Sequence, residues 1–285
     1  DSATIWENNS ILNFGTGIGV KIENDYDEIR FVNNTIDNTA IALLLIADDE
    51  EDNTELDNRA IIMGNIILNN TIGIKISKKQ NSVICQNHIK MNVEGIKIIS
   101  AKNISITSNI LENNMLYAIH FTKNAYTACN ILHHNSFINN SLHISESNDN
   151  TYYNEVYGEG NYWDDYTGTD SDRDGIGDSP YQISETNEDK YPLMSPYQDD
   201  KEPVIMSMKP KQNHLYLFDT IKIPFLFTCL IGDIHIKIST GDDQYIDHVT
   251  FKINGKTKSN DFYPPYSYLF NEEETGIYKL KVYIY

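Results

Sequence analysis

Ile106-Thr107-Ser108-Asn109-Ile110-Leu111-Glu112-Asn113-Asn114-Met115-Leu116-Tyr117-Ala118-Ile119-His120-Phe121 is one turn of a pattern that recurs six times. Its fixed mark is an asparagine: Asn9, Asn34, Asn65, Asn87, Asn109 and Asn135. Two residues later comes Ile11, Ile36, Ile67, Ile89, Leu111 or Phe137, and three residues earlier Trp6, Phe31, Ile62, Ile84, Ile106 or Leu132. A period of roughly 22 to 31 residues, rich in β-branched side chains and without helical spacing, predicts a β-solenoid.

The remainder of each copy agrees. A small residue (Gly19, Ala42, Gly73, Gly95 or Ala118) opens an alternating run whose apolar members are Val20/Ile22, Leu43/Leu45, Ile74/Ile76, Ile96/Ile98 and Ile119/Phe121, with Leu142/Ile144 in the sixth copy. Strand side chains alternate in direction, so each pair shares one face, and coils stacked ~4.8 Å apart bury the pairs as columns. Asparagine recurs four residues after each mark, at Asn13, Asn38, Asn69, Asn113 and Asn139, with Met91 the exception. Asparagine tolerates left-handed backbone and its amide bonds a copy of itself in the next coil, so the repeated asparagines are expected at the bends.

Around these coils, residues 1–150, the chain changes character twice. The acidic stretch from Ala47 to Glu55 is expected to project from the second copy, since like charges have no core to join. Residues 151–198 replace Ile and Asn with Tyr, Trp, Gly and Asp, as suits a cap over exposed strand edges. Residues 199–285 show short alternating strands. Val249, Phe251 and Ile253 lead into Asn254-Gly255, a hairpin signal; Tyr263-Pro264-Pro265-Tyr266 interrupts the pattern, and Ile277 to Ile284 alternates again. That spacing predicts an immunoglobulin-like β-sandwich, cut short at Tyr285. The chain also opens inside its first repeat, as a processed or excised piece would.

Composition narrows the function. The 285 residues carry a net charge of −19, which repels nucleic-acid phosphates. No stretch is apolar enough to span a bilayer. Cys85, Cys129 and Cys229 follow no metal spacing and read as small buried or half-buried thiols. Asn-x-Ser/Thr sequons stand at Asn8, Asn33, Asn69, Asn103 and Asn139.

The segment Gly160-Asn161-Tyr162-Trp163-Asp164-Asp165-Tyr166, continuing to Pro180-Tyr181, and then Asp189-Lys190-Tyr191-Pro192-Leu193-Met194, carries a family resemblance. With the preceding coils it resembles the right-handed parallel β-helix proteins of the NosD-like group, over residues 1 to about 198. The resemblance implies a right-handed β-helix among surface and secreted proteins, of archaea in particular. The trailing residues resemble the Ig-like modules that follow such helices. The group's name comes from an accessory of copper-enzyme maturation. His133-His134 is the only histidine doublet here and has no Met/His cluster of the kind a copper carrier uses.

Two sets of residues carry candidate chemistry. Asp170, Asp172 and Asp174 alternate around Gly175, with Asp178 following and the Ile176 carbonyl available; hard oxygen donors at that spacing predict a Ca2+ loop that folds the cap. Between the paired inward residues of the third run lies a column Lys21, Leu44, Lys75, Lys97, His120 and His143. Lys75, Lys97, His120 and His143 read either as an anion or glycan stripe or as an ordinary solvated face. Catalytic carboxylate pairs are poorly supplied. Adjacent Asp164 and Asp165 are expected to turn apart, and Asp37 and Glu112 lie three coils apart. The reading is a non-catalytic extracellular or cell-surface protein, structural, adhesive or glycan-binding and stabilised by calcium, with cell-surface glycans or its own copies as partners. A polysaccharide lyase or glycoside hydrolase is the alternative.

Overall fold

The structure, a computed structural model, describes residues 4–12, 15–23, 28–47, 59–122, 127–145, 150–198, 203–219, 221–241, 246, 248–261, 266–272 and 275–285. Asn13, the acidic stretch 48–55 and Tyr263-Pro264-Pro265 lie outside these residues. The described chain is all β and forms two compact units, Asp1–Gln198 and Asp199–Tyr285.

The first unit contains a parallel β-solenoid of about six turns whose coils stack into three sheets, and a separate two-stranded sheet of Tyr181–Gln182 and Glu188–Asp189. The first sheet stacks Thr4–Glu7, Ile29–Val32, Ala60–Met63, Val83–Cys85, Ser105–Thr107 and Ile131–His133. The second runs from Ser10–Leu12 through Thr35–Asp37, Ile66–Leu68, His88–Lys90, Ile110–Glu112 and Ser136–Ile138 to Tyr162–Trp163. The third stacks Ile18–Glu23, Ile41–Ile46, Ile72–Ser77, Glu94–Ile99, Tyr117–Phe121 and Ile144–Ser145. The apolar columns are in the expected register: Ile62, Ile84 and Ile106 are direct neighbours, as are Ile67, Ile89 and Leu111, and Ile74, Ile96 and Ile119. All are fully buried in one core.

The bends divide the work among neighbouring residues. Asn8, Asn33, Gly64, Gln86, Ser108 and His134, just before each marked asparagine, all have left-handed backbone, and so do Asn38, Asn69, Met91, Asn113 and Asn139. Each of these eleven residues turns the chain and is followed directly by a member of a hydrogen-bonded column. In the first column each asparagine donates its backbone N–H and side-chain amide to the Oδ1 of its successor one coil on, from Asn9 through Asn34, Asn65, Asn87, Asn109 and Asn135 to Asn161, at 2.8–3.1 Å. A second column, Thr39, Asn70, Asn92, Asn114 and Asn140, repeats the arrangement five residues after the mark. The asparagines four after the mark therefore turn the backbone, while their successors carry the ladder. Met91 fits because that position needs a left-handed φ and no amide.

One expected register is corrected. Ile119 pairs with Ile144 and His120 with Ser145, so the outward column ends Lys97, His120, Ser145 and leaves out His143. Leu142 is 53% exposed. His143 instead follows Gly73, Gly95 and Ala118 in the column of small residues. A Cβ on Gly95 would stand 2.5 Å from the Ala118 carbonyl oxygen of the next coil. Among the described residues no strand of this sheet follows Ile144–Ser145, so an imidazole fits where a methyl group was the limit.

In the second unit three three-stranded sheets are present. Val249–Ile253 and Lys256–Asp261 form the expected hairpin around Asn254 and Gly255, both with positive φ. The last strand is shorter than its alternation predicts, Leu280–Ile284, and Ile277 is exposed. Ile236, Ile238, Val249, Phe251 and Tyr266 make this unit's core.

Candidate functional site

The outward residues of the coils are tied to one another along the solenoid. On the third sheet Lys97 Nζ lies 3.0 Å from Glu94 Oε1 and His120 Nδ1 lies 2.7 Å from Glu94 Oε2. Burial pushes the Glu94 carboxyl up, but the hydrogen bonds and charges of His120 and Lys97 outweigh it and hold the group below its usual range. Lys75 lies beside Lys97 in register. The stripe of Lys75, Lys97 and His120 therefore contains its own counter-ion, and His143 is elsewhere. On the second sheet Glu112 meets His88 at 2.8 Å, and Asp37 accepts a hydrogen bond from the Asn69 amide. Asp37 and Glu112 thus serve separate lateral contacts.

The far end of the solenoid is built from the two halves of the segment Gly160 to Met194. The column of Leu111 and Phe137 continues in Trp163, whose ring stacks at 4.4 Å on Phe137 and, on its other side, at 4.4 Å on Tyr181. The asparagine ladder ends at Asp189, which accepts from Asn161 N, Asn161 Nδ2 and Trp163 Nε1 on Oδ2 and from Tyr191 N on Oδ1. A carboxylate suits the last rung because it accepts the donors below it and has none needing a further coil. Burial pushes its pKa up to about 6 against the pull of these donors. Gly160 is required beside it, since a Cβ there would lie 1.9 Å from Asp189 Oδ1.

Two clusters bring carboxylates together. Among the described residues, ligand atoms of Asp170, Asp172 and Asp174 lie within 4.8 Å of one another, as do those of His143, Asp164 and Asp165. In the first, Asp170 accepts from Arg173 N and Gly175 N, and Asp174 from Ile176 N. Asp178 stands apart from that trio, bonded to Thr169 and Ser171, which hold its carboxyl below the usual range. In the second, the neighbours Asp164 and Asp165 do not turn apart: His143 Nε2 lies 3.0 Å from Asp164 Oδ1 and 3.2 Å from Asp165 Oδ1. The Tyr181 hydroxyl donates to Asp165 Oδ2 and is held protonated by burial and by that carboxylate. The sequence carried a signal for this cluster: Ile144 stands nine residues after its asparagine, as Ile74 and Ile96 do, which leaves His143 in the small-residue column.

The thiols form no disulfide. Cys85 is buried, its pKa pushed up to about 12 mainly by burial, while Cys129 is exposed rather than buried or half-buried.

Residues 46–168 match a family model described as periplasmic copper-binding protein (NosD). No curated protein matches the chain. The first unit is a parallel β-solenoid, and over the matched residues it is similar to that family. The family's description names copper, and it overturns the expectation of Ca2+ as this chain's cofactor.

Proposed function

We propose that this chain is a non-catalytic β-helix platform acting outside the cytoplasm, its second unit an Ig-like module and its coil faces presented to envelope glycans or to other copies. The observation that carries this reading is the pairing of outward carboxylates with neighbours on adjacent coils: Glu94 with His120, Glu112 with His88, Asp37 with Asn69. A general acid needs a carboxyl raised toward neutral pH, and Glu94 is lowered. Such pairs brace the coils from outside as the asparagine ladders do from within. The periplasmic description of the matched family supports the location. Its copper finds no thiolate in either carboxylate cluster, so a soft-ligand Cu+ centre does not fit them. The imidazole and two carboxylates of His143, Asp164 and Asp165 fit a divalent copper ion, which would act there as a cross-link.

Incubating the full chain with acidic and neutral envelope polysaccharides tests the proposal. Sedimentation of the chain with the polymer, without release of new reducing ends, is the expected result. Release of reducing ends or of unsaturated uronates would establish an enzyme instead.

A further inference from the structure

We infer that His143, Asp164 and Asp165 form a binding site for a divalent transition-metal cation, Cu2+ or Zn2+, that locks the last coil to the cap. The inference deepens the copper fit of the proposed reading and rests on that part of it alone; it holds whether or not the coil faces bind glycans.

Geometry comes first. Donors held about 2.1 Å from one metal ion at roughly right angles stand about 3 Å apart. The separations from His143 Nε2 to the two aspartate oxygens, 3.0 and 3.2 Å, are of that size. Both aspartates are oriented from behind through their other oxygen. Asp164 Oδ2 accepts the Asn139 backbone N–H at 2.6 Å and Asp165 Oδ2 the Tyr181 hydroxyl at 3.2 Å, which leaves each Oδ1 directed to the imidazole. Outer hydrogen bonds of this kind fix ligands in metal sites.

An ion pair alone accounts for less. Nε2 carries at most one proton, yet two carboxylates converge on it, adjacent in sequence and repelling each other. His143 is 9% exposed, and its buried Nδ1 has no hydrogen-bond partner in the protein. A cavity of about 140 Å³ lined by His143, Trp163, Asp165 and Tyr181 adjoins it. That volume admits a water that would complete a bound ion's coordination. The Asp165 side chain is 61% exposed and gives the ion a way in. One nitrogen and two carboxylate oxygens select a borderline divalent ion over a hard one.

The test is titration calorimetry of the full chain with Cu2+, Zn2+ and Mg2+, with thermal melts and electron paramagnetic resonance of the Cu2+ form. One equivalent of Cu2+ or Zn2+ should bind and raise the melting temperature, Mg2+ should do neither, and the Cu2+ spectrum should show coupling to one nitrogen. Asp165→Asn, at an exposed position that keeps the fold, should weaken binding by about tenfold or more. His143→Gln should remove the nitrogen coupling, while Asp172→Asn with Asp174→Asn should leave binding unchanged. Absent stoichiometric binding, Mg2+ binding as tight as Zn2+, unchanged affinity in Asp165→Asn, or nitrogen coupling retained in His143→Gln would each overturn the site. The glycan assay does not depend on this result, so either reading can fail alone.

Discussion

At the scale of the residue, asparagine does two different jobs in consecutive positions. Asn113 has φ 54° and turns the chain at the surface, while Asn114 is buried and bonds to Asn92 and Asn140. Asn109 is likewise interior: it accepts from Asn87 and donates to Asn135, Ile84 O and Thr107 O. Glycine adopts a left-handed φ freely but cannot replace a buried amide. Asn113→Gly should therefore change unfolding free energy by no more than about 0.5 kcal/mol. Asn109→Gly should cost about 3 kcal/mol or more, because several buried groups lose partners together. Urea denaturation of the two variants checks this; equal losses would show that the buried amides contribute nothing beyond the bend. The left-handed positions four residues after the mark were legible from the repeat, but those one residue before it were not, because Gly64, Gln86, Ser108 and His134 share no residue type and the marked asparagines beside them carry the ladder instead. The ladder five residues on was equally present in Asn70, Asn92, Asn114 and Asn140, but next to a second asparagine its separate role has no compositional sign.

At the scale of the element, the solenoid end is where local pattern stops predicting position. The alternation Leu142-His143-Ile144 looks like every other third-sheet strand, yet the register sets Ile144 against Ile119 and Ser145 against His120, so His143 is not in the outward column. The space that opens there comes from the absence of another coil, which no window of sequence records. Asp189 is the matching device for the ladder. Its folded pKa, about 6, lies above the ordinary 3.8, so the folded protein holds a proton that the unfolded chain has released between those values. Its contribution to stability is thus fully present below about pH 3.8 and is lost as pH rises through about 6. Two pH units correspond to roughly 3 kcal/mol. Comparing Asp189→Asn with the unaltered chain between pH 4 and 7, the unaltered chain should lose stability relative to the variant by an amount of this order. Parallel stability curves would show that Asp189 ionises in the cap as it does in water.

At the scale of the whole molecule, a regular interior and braced exterior fit a platform better than a catalyst. The solenoid, its core columns and its hairpin-bearing second unit could be read from periodicity alone, because each copy repeats the same burial requirement. The cap could not: its contacts, such as that of Asn161 with Asp189, occur once and follow no repeat, and its metal-ligand geometry depends on two neighbouring aspartates converging on one imidazole. The central claim is a β-helix platform working outside the cytoplasm, and its most direct test is where the protein is found in its own cells. Quantitative immunoblotting of cytosolic, periplasmic or surface, and secreted fractions should recover the chain in the extracytoplasmic fractions, with a cytosolic marker absent from them. Recovery of the chain with that marker in the cytosol would contradict the account.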